Sequence, residues 1–193
     1  YYFSLQGTWM SGGVTAGIYT TNSAEACAYV LKHSEAKVCV CQSGKSAMKI
    51  ASICDSLPQL KAIVVYWPDE DMPVMEKSEG CAKLYRWEEF LEIGKDIPDS
   101  QVDARIDAIQ PGSCATLIYT SGTTGDPKGV MCSHDACMTN ALNIRYYLQL
   151  NNEDRFVSFL PMNHIAAQYV DTMIPVRNRI TMYLARPDAL RGS

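Results

Sequence analysis

Residues 119–129 read Tyr-Thr-Ser-Gly-Thr-Thr-Gly-Asp-Pro-Lys-Gly. An apolar run (Ala115, Leu117, Ile118, Tyr119) stops at hydroxyls and glycines, and one lysine, Lys128, follows. A strand that ends in small, donor-rich backbone is a cradle for phosphate oxygens. Gly122 and Gly125 permit positive φ and close backbone approach. Ser121, Thr123 and Thr124 add hydroxyl donors, and Lys128 adds a point charge. Pro127 stiffens the turn by fixing its own φ and pushing Asp126 out of the helical region. A plain polar turn between two core elements is the alternative, and the density of phosphate-compatible residues argues against it.

The loop is not of the Walker type. That pattern places Ser or Thr directly after its lysine, to reach a magnesium ion, whereas residue 129 is Gly. A second segment, Gly44-Lys45-Ser46, follows the apolar run Val38–Cys41 as a P-loop would. Cys39 stands where its first glycine belongs, so Ser43–Ser46 reads as an ordinary helix start. A P-loop NTPase-like protein built on Gly44–Ser46 stays as the competing reading.

The elements that must carry the loop alternate between strand and helix. Val14–Tyr19 reads as a strand, and Ser23 caps a helix striped by Ala26, Cys27, Val30 and Leu31. Lys37–Cys41 reads as a short, doubly buried strand. Ala47, Ile50, Ala51 and Cys54 stripe the next helix, ended by Leu57-Pro58, and Ile63–Tyr66 is another buried strand. Residues 67–86 read as a loop, in which Asp69, Glu70 and Asp71 form a solvated turn rather than a cation site. Trp87–Gly94 is a short helix, and residues 96–114 are a polar connection. Past the phosphate loop, Ser133 or Asp135 caps a helix striped by Cys137, Ala141, Ile144 and Leu148. Phe156–Leu160 returns as a strand and leads through Pro161 to His164. This alternation predicts an α/β fold with a mainly parallel sheet and flanking helices.

Composition narrows the class. With 193 residues, 47% apolar and 20% charged, the chain can bury a core. A net charge of −4 with scattered lysines and arginines excludes a nucleic-acid footprint. No apolar run is long enough to span a bilayer, and no signal peptide is visible. The chain opens at Tyr1 without an initiator methionine, so further sequence is expected upstream. The eight cysteines (27, 39, 41, 54, 81, 114, 132, 137) read as small buried hydrophobes, reduced in an intracellular compartment. Cys132, His134 and Cys137 are too few and too irregularly spaced to read as a zinc site.

The run Tyr119–Gly129 resembles the phosphate-binding signature of the adenylate-forming (AMP-forming) acyl-CoA synthetase superfamily at every specified position. Gly12–Ser23 resembles the region where these enzymes carry a Gly-Gly strand followed by a helix, and Gly17–Ser23, Leu160–Gln168 and Pro187–Ser193 resemble, in addition, the long-chain fatty acyl-CoA synthetases of the bubblegum branch. The resemblance is weakest in residues 67–110. It implies a long-chain fatty acid–CoA ligase: a fatty carboxylate attacks the α-phosphate of ATP, and the thiol of coenzyme A then displaces AMP. It implies ATP, Mg2+ and CoA, with a long-chain fatty acid as the acyl partner. Thr120, Ser121, Gly122, Thr123, Thr124, Gly125, Asp126, Pro127 and Lys128 would wrap the β- and γ-phosphates, with Thr123 also a metal contact. His164, in a Pro-x-x-His segment at the end of a parallel strand, would line the pocket and place the carboxylate without acting as a base. Lys128 and His164 are thus the catalytic candidates. Tyr119 would pack behind the loop, while Gln168 and Tyr169 either border the acyl channel or pack in a helix.

The adenine, ribose and C-terminal lysine motifs that the resemblance requires do not occur in this chain, and Val176–Ile180 lacks the expected glycine turn. Residues 1–193 are therefore expected to be part of an N-terminal subdomain, cut at both ends, without its C-terminal subdomain and unable alone to complete turnover. A truncated product that only binds nucleotide or a partner is the alternative. The parent enzyme is expected in the cytoplasm or peripheral to an organelle membrane such as the endoplasmic reticulum.

Overall fold

The computed structural model describes residues 1–67, 81–120 and 126–186. The chain divides into two compact units, residues 18–104 and the remainder. Helix α1 (Tyr2–Met10) and strand β1 (Thr15–Ala16) open the second of these. β1 is far shorter than the strand expected over Val14–Tyr19.

In the unit of residues 18–104, helix α2 (Ala24–His33) starts where Ser23 Oγ accepts from Ala26 N at 3.2 Å. Strand β2 (Val38–Cys41), helix α3 (Gly44–Ala51), strand β3 (Ala62–Val65) and strand β4 (Lys83–Arg86) follow. The sheet is parallel throughout in the order β2-β3-β4. β3, central and buried at every position, carries the all-apolar Ala-Ile-Val-Val that a two-faced strand requires. β2 departs from the doubly buried expectation. Cys39 and Cys41 point into the core while Val38 and Val40, on the opposite face of the strand, are exposed, so only one face is covered. Cys27, Leu31, Ile50, Cys54, Leu57 and Ile63 are among the residues that complete this core. Cys54 belongs to a separate 3-10 turn, Cys54–Ser56, not to α3.

Two expectations fail here. β4 lies within the segment read as a loop; residues 68–80 are outside the described ones. Helices α4 (Trp87–Glu92) and α5 (Asp99–Asp107) follow, the latter inside the stretch read as an irregular connection. α5 buries no residue, so no apolar stripe marks it in the sequence.

The remaining unit is built around strand β5 (Cys114–Thr120), between β1, which it pairs in parallel, and strand β6 (Lys128–Ser133), which it pairs antiparallel. The ladder slips between Cys114 and Thr116, leaving Ala115 as the extra residue of a bulge. Trp9 Nε1 donates to the Ala115 carbonyl at 2.7 Å and so ties α1 to that bulge. Ser133, the first of the two proposed caps, accepts from Ala136 N at 3.1 Å and starts helix α6 (His134–Leu148). Cys137 and Ala141 of α6 enter the core with Leu5, Trp9, Met173 and Ile174. Leu148, expected on the same stripe, is exposed in the last turn. Strands β7 (Arg155–Ser158) and β8 (Thr181–Leu184) form a parallel pair. Between them lie helix α7 (Ile165–Ala167), a π-helical segment (Gln168–Met173) and helix α8 (Ile174–Asn178). Pro175 offers no N–H and its ring crowds the carbonyl four residues back, which favours the wider turn before it. Thr172 Oγ1 donates to the Gln168 carbonyl, a bond that also bends helices.

Candidate functional site

Strand β5 delivers the phosphate-loop motif. Its last residue, Thr120, stands directly opposite Lys128, the first residue of β6. The motif thus spans an antiparallel hairpin closed at its base by a hydroxyl-bearing and an ammonium-bearing residue. Both side chains belong to exposed residues, as does Asp126, and Pro127 is half-buried. Ser121, Gly122, Thr123, Thr124 and Gly125 lie outside the described residues. β6 itself was not foreseen in the sequence.

The Tyr119 ring lies across the ladder against Gly129. A Cβ on Gly129, its partner across the ladder, would lie 3.3 Å from Tyr119 Cζ. Glycine there lets the ring lie close against the β6 backbone. Behind this layer Ala115 and Thr116 are fully buried, so the strand that leads into the loop is fixed by packing on its inner face.

His164 caps α7: its Nδ1 accepts from Ala166 N at 3.2 Å. A ring nitrogen that accepts carries no proton, so the neutral imidazole holds its proton on Nε2. The exposed ring is therefore a donor at its free nitrogen, suited to orienting an oxygen anion. The segment before it is pressed against the exit of β1. A Cβ on Gly17 would come within 2.9 Å of Asn163 Cβ and 3.2 Å of its Cα, so only glycine allows this approach. Neither Gly17 nor Asn163 was singled out in the sequence; the close passage of two distant segments leaves no local signal.

Gln168 and Tyr169 follow the packed-helix alternative. Gln168 is fully buried, and its side-chain Oε1 lies 3.4 Å from Thr116 Oγ1. Tyr169 packs against the core, where burial pushes its phenol up to about 12. Asp171 is buried as well and accepts from Ser158 Oγ at 2.8 Å; burial holds its carboxyl above the usual range. The chain thus brings Thr120 and Lys128 together at the hairpin, and holds His164 on a neighbouring segment of the same unit.

The Gly44-Lys45-Ser46 segment is a helix start. Only Gln42 and Ser43 separate β2 from α3, and Ser43 Oγ accepts from Ser46 N at 3.5 Å. Among the described residues no group of three or more His, Cys, Asp or Glu side chains converges as metal ligands. The metal contact expected at Thr123 falls outside those residues. All eight cysteines are free thiols.

The sequence profile of a family described as AMP-binding enzyme matches residues 1–192. The long-chain-fatty-acid–CoA ligase ACSBG2 of Xenopus laevis is 46% identical over 191 residues, covering 97% of this chain and 25% of that protein. The long-chain-fatty-acid–CoA ligase ACSBG1 of Homo sapiens is 41% identical over 200 residues, covering 100% of this chain and 26% of its own length. The chain therefore spans about a quarter of these relatives. Among solved structures, the anthranilate CoA ligase AuaEII in complex with anthranoyl-AMP superposes with a TM-score of 0.70 at 22% identity, over 98% of this chain and 33% of that one. ATP-bound MatB from Rhodopseudomonas palustris gives 0.64 at 21% identity, over 95% and 32%. These structural likenesses establish the fold.

Proposed function

The chain belongs to the AMP-binding enzyme family, and from that premise we propose that it forms the phosphate-gripping part of an AMP-forming long-chain fatty acid–CoA ligase. The observation that carries the reading is the hairpin: the motif Tyr119–Gly129 is closed by Thr120 against Lys128. The named functions of the relatives point to the same acyl substrate.

A fatty carboxylate is a poor acyl donor because its oxygen leaves badly. Attack of that oxygen on the α-phosphorus of ATP forms an acyl–phosphate bond and expels pyrophosphate. The sulfur of coenzyme A then attacks the acyl carbon and expels AMP, leaving the thioester. Each step is a displacement, so the protein contributes positioning and charge stabilisation. Lys128 neutralises charge that builds on the departing pyrophosphate. Thr120 and the loop backbone donate to the phosphate oxygens. His164 donates from Nε2 to the carboxylate, which is already ionised at neutral pH and needs no base. Thr123 would hold Mg2+, which would screen the polyphosphate charge when bound. Contacts to adenine, ribose and coenzyme A are assigned to other parts of the parent enzyme, of which residues 1–193 would form a portion of the N-terminal subdomain.

We place that enzyme inside the cell, in the cytoplasm or peripheral to an organelle membrane such as the endoplasmic reticulum. Its eight free thiols and its water-insoluble substrate support this. Fractionation of cells checks it, and recovery from the secreted fraction would overturn it.

The function is tested by exchange of labelled pyrophosphate into ATP, catalysed by the full-length protein. Exchange that requires a long-chain fatty acid is the expected result. Exchange supported only by another class of carboxylic acid, or none, would overturn the reading.

A further inference from the structure

Gln168 sits where two parts of the site meet. Its backbone N–H donates to the His164 carbonyl at 3.0 Å, which ties it to the histidine segment. Its side-chain amide meets Thr116 of β5 at 3.4 Å, and Thr116 Oγ1 lies 3.3 Å from the Thr15 carbonyl of β1. Thr116 and Gln168 are both wholly buried. Thr116 has one hydroxyl proton and two acceptors in reach, and with Oε1 turned toward it the Gln168 Nε2 is buried without a partner. Turning the amide over resolves both problems. Nε2 then donates one of its protons to Thr116, and Thr116 is free to donate its own to the Thr15 carbonyl.

We propose that Gln168 is a positioning residue, which through Thr116 fixes the spacing between the His164 segment and strand β5, whose last residue, Thr120, pairs with Lys128 of β6. The proposal rests on the ligase reading above. Carboxylate and α-phosphorus must meet in line, and the buried bridge is a direct side-chain tie between the segments that hold them. β5 cannot slide along the helical segment without breaking a chain of three bonded groups, and no water reaches the site to replace them.

The test uses fatty-acid-dependent pyrophosphate exchange by the full-length enzyme, with Gln168→Leu, Thr116→Val, Thr116→Ser and the Leu/Val double variant. Gln168→Leu and Thr116→Val are each expected to lower kcat about 10–100-fold, with both KM values changed less than about threefold. Thr116→Ser, which keeps the hydroxyl, is expected to hold kcat within about threefold of wild type. The double variant should be no slower than the slower single variant, because both break one bridge. Unchanged kcat in folded Gln168→Leu, additive losses, or a fatty-acid KM that rises with chain length would each overturn the link. If Gln168→Leu does not fold, equal kcat for Thr116→Val and Thr116→Ser overturns it. Wild-type enzyme without any exchange would bring down the ligase reading first, and this role with it.

Discussion

Thr120 and Lys128 are direct partners across the antiparallel β5–β6 ladder. That rung is held by Tyr119 packed against Gly129 and by buried Ala115, Thr116 and Ile118. Lys128 itself is exposed, whereas the strand behind it is buried.

Lys128→Ala is expected to slow fatty-acid-dependent pyrophosphate exchange by about 100-fold or more, the cost of losing one preorganised charge donor. Because Lys128 is exposed, unfolding free energy should move by less than about 0.5 kcal/mol. Steady-state rates and a denaturant titration on the same preparation check both halves.

Trp9→Phe removes the donor that satisfies the Ala115 carbonyl at the bulge, a bond of 2.7 Å. Thr15 Oγ1, at 3.4 Å, offers that carbonyl only a weak substitute. Urea unfolding should show a loss of about 1 kcal/mol.

Arg179 ends α8 with φ of +57°, in the left-handed region, and Ile180 N donates back to the Pro175 carbonyl at 3.0 Å. The turn that the sequence appeared to lack is present, held by arginine. Arg179→Gly should raise stability by about 0.5–1 kcal/mol, relief of the left-handed strain partly offset by a more flexible unfolded chain. Thermal unfolding checks it; a lowered midpoint would show that the arginine side chain itself contributes.

His134 lies edge-on to Trp9, with ring centroids 5.7 Å apart, and burial holds its pKa below 6.5. The folded state therefore binds its proton less readily than the unfolded chain does. The stability penalty is absent above 6.5, appears as pH falls through that value, and is complete below the folded pKa. His134→Gln should flatten the stability profile as pH falls below 6.5. Denaturant midpoints followed by tryptophan fluorescence at several pH values check this.

How far the sequence could be read depended on which signals are local. Ser23, Ser43 and Ser133 announced three helix starts because a cap is a side-chain bond over three residues. The motif Tyr119–Gly129 could be read for the same reason: its residues are consecutive in the sequence. β4 was missed because Lys83 and Arg86 flank only two apolar-bodied residues. β6 was missed because Val130 and Met131 are exposed and its second residue, Gly129, has no side chain. α5 has no apolar face to read. The bridge from Thr116 to Gln168 and the contact of Gly17 with Asn163 join residues far apart in the chain, and no spacing rule reaches them.

Phosphorus-31 NMR of ATP titrated with the full-length protein tests the hairpin most directly, using Lys128→Ala and Lys45→Ala beside the wild type. Gripping of the polyphosphate by this hairpin should shift and broaden the β and γ resonances in wild type and Lys45→Ala, and the effect should largely vanish in Lys128→Ala. Loss confined to Lys45→Ala, with Lys128→Ala behaving as wild type, would contradict the account.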